Sequence, residues 1–311
     1  MLDVRRLRVL REVAKHGSFS AAAEALAYTQ SAVSQQIAAL ERECGAKLVQ
    51  RGARGIKLTQ AGEVLVRHAG VVLAQLADAE AELEALAGLR GGRLRLATFP
   101  SAGASLLPVA VSLFRERHPA VELSLIEAEP QDSLPQVKAG EIDIALMYEP
   151  HLAGDDALTG LEHRHLLDDP MYVALSVNHP LAKKKRVRMA DLSAEPWVNP
   201  SSNHCGSHDM LLRATQRAGF EPRIAFQTDD YNAIQGLVAA GVGVALIPAL
   251  ALTAAREDVA VRPLSDARIS RGIGVASLPS AQRSPAAAAM LDMLEAAAER
   301  FEDGAPLAEA V

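Results

Sequence analysis

The helix that the sequence predicts over residues 29–43 has one apolar side and one side that is polar but uncharged. Apolar residues recur at helical spacing and therefore share a face; they are Val33, Ile37, Leu40 and Cys44. The opposite side, here called the reading face, consists of Gln30, Ser31, Ser34 and Gln35. Glutamine can bond bidentately to adenine, and serine can bond to bases or phosphates. The pattern favours a helix in a DNA major groove over a water-facing amphipathic helix, which usually carries charges on its polar side.

Two predicted junctions between a strand and a helix, at residues 98–103 and 198–204, contain small hydroxyl residues. The first N–H groups of a helix lack partners and lie at the positive end of the helix dipole, so such junctions can bind anions. In open α/β sheets, ligands bind beyond the carboxyl ends of the strands. The junctions therefore indicate a site for a small organic molecule, preferably a carboxylate. The alternative is that each Ser or Thr only caps its helix.

The segment from His204 to His208 offers three other chemistries. Two histidines four residues apart on a helix can share a metal, and Cys205 at a helix start could react with oxidants. A nucleophilic cysteine with a histidine base would indicate an enzyme, but nothing nearby supplies an oxyanion hole. The second cysteine, Cys44, belongs to a different region of the chain. We expect no metal site, no cofactor and no enzymatic activity.

Three short helices and a hairpin are predicted in the first 58 residues. Gly17 and Gly45 can end the first and third helices, while Ser18 or Ser20 can cap the second. Thr29 or Ser31 can likewise cap the third helix. Two short strands, 47–50 and 55–58, flank a basic turn that contains glycine.

A long fourth helix is predicted from Thr59 to about residue 89, and Gly88, Gly91 and Gly92 then form a hinge. Its apolar residues alternate in steps of four and three: Leu65, Ala69, Val72, Leu76, Ala79, Leu83 and Leu86. A repeat sustained in this way predicts a coiled-coil seam with a second chain. The alternative is that this helix packs only on its own domain.

Beyond the hinge, strands and helices alternate over residues 94–148, which predicts a parallel sheet flanked by helices. Strands at 163–167 and 172–177 would begin a second lobe, and a strand at 272–278 with a helix at 285–301 would return to the first. The uncharged segment 237–255 has the length of a membrane span, but glycines and Pro248 interrupt it. It predicts a helix end, a buried strand and a turn.

The composition, 23% charged and 49% hydrophobic over 311 residues, is typical of a soluble protein of two or three domains. The first 60 residues hold ten Lys and Arg against five Asp and Glu, so they carry +5, whereas the whole chain carries −6 and the remainder −11. A basic head on an acidic body favours a polyanionic partner for the head. With two distant cysteines and no apolar leader, we expect a cytoplasmic protein without a disulfide framework.

The first 60 residues resemble the N-terminal signature of LysR-type transcriptional regulators, and the later architecture is similar to that family's effector domain. The matching stretches are residues 7–14, 17–26, 29–37, 40–41, 45–49, 51, 54–55 and 58–62. The resemblance implies an α/β chain with a winged helix-turn-helix at 1–58, a dimerisation linker helix at 59–90 and a two-lobed, periplasmic-binding-protein-like α/β effector domain at 91–311. Lobe I would comprise 93–162 and 268–302, and lobe II would comprise 163–267.

Carried over residue by residue, the resemblance places the reading face in the major groove. Arg51 and Arg54 match wing positions that meet the DNA backbone and minor groove, and Thr29 could bind a phosphate at the helix start. Two positions depart from the pattern. Val49 stands where the family commonly has Phe, so the wing would pack more loosely, and Gln35 replaces a frequent Arg, so an amide contact would replace a charged one.

In LysR-type regulators, junctions from the two lobes face each other across the effector cleft. The resemblance therefore nominates as effector-binding residues Thr98, Ser101, Ser202 and Thr228, with Tyr148, Asn203 and Pro248 lining the cavity. The expected partners are double-stranded DNA, a small-molecule effector and other copies of the chain, as a dimer through the linker helix and commonly a tetramer. RNA polymerase is a further candidate partner, and no membrane is involved. A two-lobed solute-binding protein is the alternative, which the basic head and the missing leader disfavour.

Overall fold

The computed structural model describes residues 2–52, 55–86, 92–148, 155–200, 206–253, 255–266 and 268–303. They form a small N-terminal head, a long helix and a two-lobed α/β domain. No helix within these ranges is both long and apolar enough to cross a membrane. The uncharged segment 237–255 is, as predicted, the end of a helix, a buried strand and a turn.

The head packs three helices and a hairpin around one apolar core: α1 (Val4–His16), α2 (Phe19–Ala25), α3 (Gln30–Cys44), β1 (Val49–Gly52) and β2 (Gly55–Leu58). Ser18 and Thr29 cap α2 and α3 through their hydroxyl oxygens, which accept from the N–H groups of Ala21 and Ala32. The apolar side of α3 is buried in this core, so the reading face points outward.

The hairpin packs against the turn between α1 and α2. The Ile56 N–H donates to the Gly17 carbonyl oxygen at 2.8 Å, and a Cβ on Gly55 would lie only 2.8 Å from that same oxygen. Gly55 also has a φ of +122°, which other residues rarely adopt. Both facts require glycine at this position, which determines where the hairpin leaves the head.

The long helix α4 (Gln60–Leu86) begins after Thr59, whose hydroxyl accepts from the Gly62 N–H at 3.1 Å. Its predicted seam divides into two parts. Leu65 and Ala69 pack into the core of the head. In the second part, Val72, Leu76 and Leu83 are exposed, Leu83 by 66%. The chain therefore covers the start of the seam itself and leaves Val72, Leu76, Ala79 and Leu83 open.

The two-lobed domain contains the remaining α-helices and strands. In chain order they are β3 (Arg93–Thr98), α5 (Pro100–Ala104), α6 (Leu106–Arg117), β4 (Glu122–Glu127), α7 (Pro130–Lys138), β5 (Ile144–Tyr148), β6 (Glu162–Ser176), β7 (Pro196–Asn199), α8 (Gly206–Arg217), β8 (Arg223–Gln227), α9 (Tyr231–Ala239), β9 (Ala245–Pro248), β10 (Val259–Arg262), β11 (Ser270–Ser277) and α10 (Pro285–Asp303). The order in the main sheet is β10-β6-β11-β5-β3-β4, and β9 also pairs with β6.

Parallel pairing brings the carboxyl ends of strands together in each lobe. In lobe I, β3 is parallel to β4 and β5, with Thr98 opposite Glu127. In lobe II, β7 is parallel to β8, with Asn199 opposite Gln227, and Trp197 bridges in parallel to Val244 just before β9. These edges are where ligands bind in α/β sheets.

Two elements differ from the sequence prediction. The strands predicted at 163–167 and 172–177 are one strand, β6, which pairs with β11 in its first half and with β9 and β10 in its second. The polar interruption at Asp169 does not break the strand because its carboxylate is bonded internally. The first half of β6 is therefore paired with a strand assigned to lobe I, and its second half is paired with strands assigned to lobe II.

The helix expected after the first strand of the predicted strand-helix alternation is also two helices, α5 and α6. They are separated at Ser105, which leaves the helical conformation and whose hydroxyl donates to the Ser101 carbonyl oxygen at 2.7 Å. The break makes α5 only five residues long. A helix this short supplies a weaker dipole for anion binding than the sequence indicated.

Candidate DNA-reading surface and effector cleft

The reading face lies on the surface of the folded head. Gln30, Ser31 and Gln35 are exposed, and Ser34 is half-buried. The Ser31 hydroxyl lies 3.0 Å from that of Thr29. The side chains of Gln30, Ser34 and Gln35 make no hydrogen bond to any residue that the structure describes. These amide and hydroxyl groups are therefore open to base edges or phosphates.

Tyr28 is a candidate contact that the sequence analysis missed. Its side chain is 51% exposed beside the start of α3, and Ala27 before it has a left-handed φ of 53° that turns the chain toward the helix. A phenol hydroxyl at this place can donate to a phosphate oxygen. An aromatic residue directly before a helix cap was the available signal.

The wing positions are described only in part. The backbone of Arg51 lies in β1 opposite Ile56. The Arg51 side chain and the whole of Arg54 lie outside the described residues. Val49, the departure from the family pattern, is half-buried and packs against the core of the head.

Glu41 ties the start of the wing to α3. Its carboxylate accepts from the Leu48 N–H at 2.9 Å, the Val49 N–H at 3.4 Å and the Lys47 Nζ at 2.6 Å. Burial acts to raise the pKa of Glu41, but the hydrogen bonds from Lys47 and the two backbone groups outweigh it, and the pKa is lowered. The ionised carboxylate therefore fixes the angle between the reading helix and the wing.

The candidate effector cleft is the region between the two strand edges. Thr98, Glu127 and Tyr148 end strands of lobe I, and Pro248 ends a strand of lobe II. Thr228, which follows β8, is half-buried, and its N–H donates to the Asn199 carbonyl oxygen at 3.2 Å. The charge of Asp229 in lobe II raises the pKa of Glu129 in lobe I, so these two carboxyl groups lie near enough to interact. Ser202 and Asn203 lie outside the described residues.

A buried ion pair is bonded to Ser101, one of the nominated residues. Asp169 of β6 and Arg271 of β11 are register partners, both fully buried, with 2.9 Å between Oδ2 and Nε. The other Asp169 oxygen accepts from the Leu250 N–H at 3.0 Å, and Arg271 Nη2 donates to the Ser101 hydroxyl at 2.6 Å. Burial raises the pKa of Asp169, and Arg271 acts against this rise. The pair joins the strands that connect the two lobes.

Aromatic rings cover this guanidinium. The centre of the Arg271 guanidinium lies 5.3 Å from the Phe99 ring and 5.1 Å from the Tyr148 ring. The Thr98 hydroxyl donates to the Phe99 carbonyl oxygen at 3.2 Å. Thr98, Ser101 and Tyr148 are thus brought together, but they are buried and bonded within lobe I. Phe99, Asp169 and Arg271 were not found from the sequence, because no local pattern links positions 102 residues apart.

Glu129 adds an unusual carboxyl group to the cleft. Burial raises its pKa to about 7, with smaller contributions from Asp229 and Glu127, while a hydrogen bond with Tyr148 and the charge of Arg271 lower it. Near neutral pH this group is therefore a mixture of the acid and the carboxylate. It can donate a hydrogen bond in one form and accept in the other.

The alternative chemistries near residue 205 fall largely outside the described part of the chain. His204 and Cys205 are not described, and neither is the His208 side chain. Among the residues that are described, no cluster of three or more His, Cys, Asp or Glu is placed to hold a metal ion.

Two family models match the chain in the regions just described. Residues 4–63 match the bacterial regulatory helix-turn-helix protein model of the lysR family, and residues 87–299 match the LysR substrate binding domain. The chain belongs to the LysR family of transcriptional regulators. It is a DNA-binding regulator with an effector-binding domain and not an enzyme, as the sequence analysis expected.

Relatives of this LysR regulator match over nearly the whole chain. The probable HTH-type transcriptional regulator LrrA of Synechococcus elongatus is 35% identical over 296 residues, which are 94% of this chain and 96% of LrrA. A full-length OxyR variant from Pseudomonas aeruginosa has the same fold, with a TM-score of 0.71, 22% identity and coverage of 96% and 95% of the two chains. The structure of full-length CbnR in complex with its target DNA matches with a TM-score of 0.62 and 24% identity. The match covers 95% of this chain and 100% of CbnR. The predicted fold class is confirmed.

Proposed function

We propose that this LysR-type regulator reads specific DNA with Gln30, Ser31, Ser34 and Gln35 in the major groove, while Arg51 and Arg54 of the wing contact the backbone and minor groove. The observation that carries the proposal is a reading face that is uncharged, outward-facing and almost without internal hydrogen bonds. Thr29 and the first N–H groups of α3 would bind a phosphate. Residues 1–58 are the reading unit, 59–90 the dimerisation linker and 91–311 the sensing unit, and the protein works in the cytoplasm.

The open half of the α4 seam supports pairing with a second copy. Val72, Leu76 and Leu83 are large, apolar and exposed at heptad spacing. Further apolar residues are exposed on edge strands of the effector domain: Leu125, Ile126 and Phe226. A second contact there would join dimers into a tetramer. Replacing both Leu76 and Leu83 by Lys should reduce the mass of the assembly about twofold in analytical ultracentrifugation, and an unchanged assembly would refute the seam.

A small organic acid in the cleft is the proposed effector. It would contact Thr98, Ser101, Tyr148, Thr228 and Pro248, with Ser202 and Asn203 at the second junction. Arg271 supports an acid, because a carboxylate that replaces the Ser101 hydroxyl at Nη2 gains a charge-assisted hydrogen bond. Glu129 is compatible with an anion while it is protonated. Ligand-induced closure about β6 and β11 would reposition the paired heads relative to the promoter and RNA polymerase.

The DNA-reading proposal is tested by selecting genomic fragments retained by the purified protein and measuring their affinity by fluorescence anisotropy. Gln35→Ala should lower the binding free energy for the cognate site by roughly 1–3 kcal/mol. It should also relax the sequence preference at the one base pair that Gln35 contacts. Gln216→Ala, an exposed glutamine on α8, is the matched control and should change nothing. The proposal would be refuted if the two variants had equal affinities for every altered DNA site. It would also be refuted if the parent did not bind DNA at low ionic strength.

A further inference from the structure

A second cavity lies on the side of lobe II, lined by none of the residues nominated for the effector cleft. Its volume is about 480 Å³, within the range of cavities that bind small organic ligands. One wall is a single face of α8, which includes Met210, Arg213 and Arg217. The other wall consists of Asp266 and residues 268–270, which lead into β11.

Three guanidinium groups, from Arg213, Arg217 and Arg268, surround this cavity. None of them forms an ion pair with a residue in the described ranges. The one carboxylate in the lining, Asp266, accepts from the Met189 N–H through both oxygens, at 3.0 and 3.2 Å. Arg217 lies in the last turn of α8, where a cation is favourable in any case, but the helix dipole does not explain Arg213 or Arg268. The cavity therefore has an excess of positive charge.

The floor of the cavity is apolar. Met189 is 1% exposed and Met210 is 6% exposed, and both belong to the core of lobe II, against which Ile269 also packs. Methionine is flexible and polarisable, so it adapts to apolar groups of different shape. Ala218 and Ile269, which also line the cavity, are partly exposed, so an inorganic anion alone would leave apolar surface uncovered.

We propose that this cavity is a second ligand site, which binds a small organic anion with its acid group at the three guanidiniums and its apolar body on the methionine floor. The site is also connected to the lobe hinge. Ile269 accepts from the Met171 N–H at 2.8 Å, and Ser270 lies opposite Pro170, one residue before Arg271. A ligand that prefers one arrangement of these strands shifts the equilibrium between the lobes. This regulatory consequence rests on the proposed function, whereas binding itself does not.

The test is isothermal titration calorimetry of the full chain with three probes: 2-naphthoate, the neutral 2-naphthamide and inorganic phosphate. Naphthoate should bind more tightly than either comparator, because only it has both the charge and the apolar body. The double variant Arg213→Gln/Arg217→Gln should weaken naphthoate binding about tenfold or more. Arg300→Gln, an exposed arginine on α10, is the matched control and should bind as the parent does. The fluorescence of Trp197 checks that the variants are folded.

Three results would overturn the inference directly: no naphthoate binding, equal binding of the amide or of phosphate, or unchanged binding in the double variant. Loss of naphthoate binding in Thr228→Val would also overturn it, because it would place naphthoate in the main cleft. Measuring naphthoate binding without DNA separates this inference from the proposed function. If the chain bound naphthoate through Arg213 and Arg217 but did not bind DNA, the second site would be supported and the proposed role of the reading face would be refuted.

Discussion

The DNA-reading head and the effector cleft arrange their polar groups in opposite ways. In the head, Gln30 and Gln35 lie at the surface with no bonds to described residues. In the cleft, Ser101, Asp169 and Arg271 are buried and bonded to one another. An exposed face can bind a duplex without breaking an internal bond, whereas a bonded network must exchange partners when a ligand enters. Substitutions in the head should therefore alter binding first, and substitutions in the cleft should alter stability first.

Arg271→Met gives the largest expected effect. It leaves the Asp169 carboxylate buried without its cation, which should lower the free energy of unfolding by about 3–5 kcal/mol. Urea unfolding followed by the fluorescence of Trp197, the single tryptophan and fully buried in lobe II, measures the loss. Arg300→Met is the surface control. If the double variant Arg271→Met/Asp169→Leu recovered none of the stability, the loss would not come from the unpaired carboxylate.

Glu129→Gln should stabilise the effector domain at alkaline pH. The folded pKa of Glu129 is raised to about 7 from 4.5, so its contribution is present below pH 4.5 and is lost as the pH rises through 7. The free energy of unfolding of the variant should exceed that of the parent by about 1–3 kcal/mol at pH 8, and the two should be equal at pH 4. Urea unfolding at the two pH values measures the difference. If the free energy of unfolding changed with pH equally in parent and variant, Glu129 would not be a buried carboxyl group with a raised pKa.

Glu41→Gln should have the opposite pH dependence in the head. The pKa of Glu41 is lowered, so its stabilisation is present above 4.5 and is lost as the pH falls below that value. At pH 7 we expect the free energy of local opening at the start of the wing to fall by about 1 kcal/mol. The reason is that a charged acceptor of backbone N–H groups is replaced by a neutral one. Hydrogen exchange at Leu48 and Val49 reports it. Unchanged protection of these amides would contradict the tie between α3 and the wing.

Arg51→Gln should have the smallest effect on folding and a uniform effect on DNA. Removing one phosphate contact should reduce the slope of log affinity against log salt by about one and weaken all sites alike. Affinity measured at several salt concentrations for cognate and scrambled duplexes tests this. A sequence-dependent loss would assign Arg51 to base reading instead.

The same contrast explains what sequence reasoning found and what it missed. The caps at Ser18 and Thr29 and the apolar side of α3 were predictable because residues within one or two turns determine them. The single strand β6 was not, because its polar interruption at Asp169 is tolerated only when Arg271 arrives from β11. The second cavity could not be predicted either, because α8 meets Asp266 and residues 268–270 only in the folded lobe.

The amino-acid order by itself determined the head, the long helix with its heptad seam and the alternation of strands and helices, since these depend on periodicity and capping over short distances. Only the tertiary structure decided which seam residues stay open, that Ser101 is held by Arg271, and that the charge of Asp229 acts on Glu129. The physical reason is that burial and charge interactions depend on distances in space. Groups far apart in the chain change each other's ionisation and hydrogen bonding only after the strands have paired.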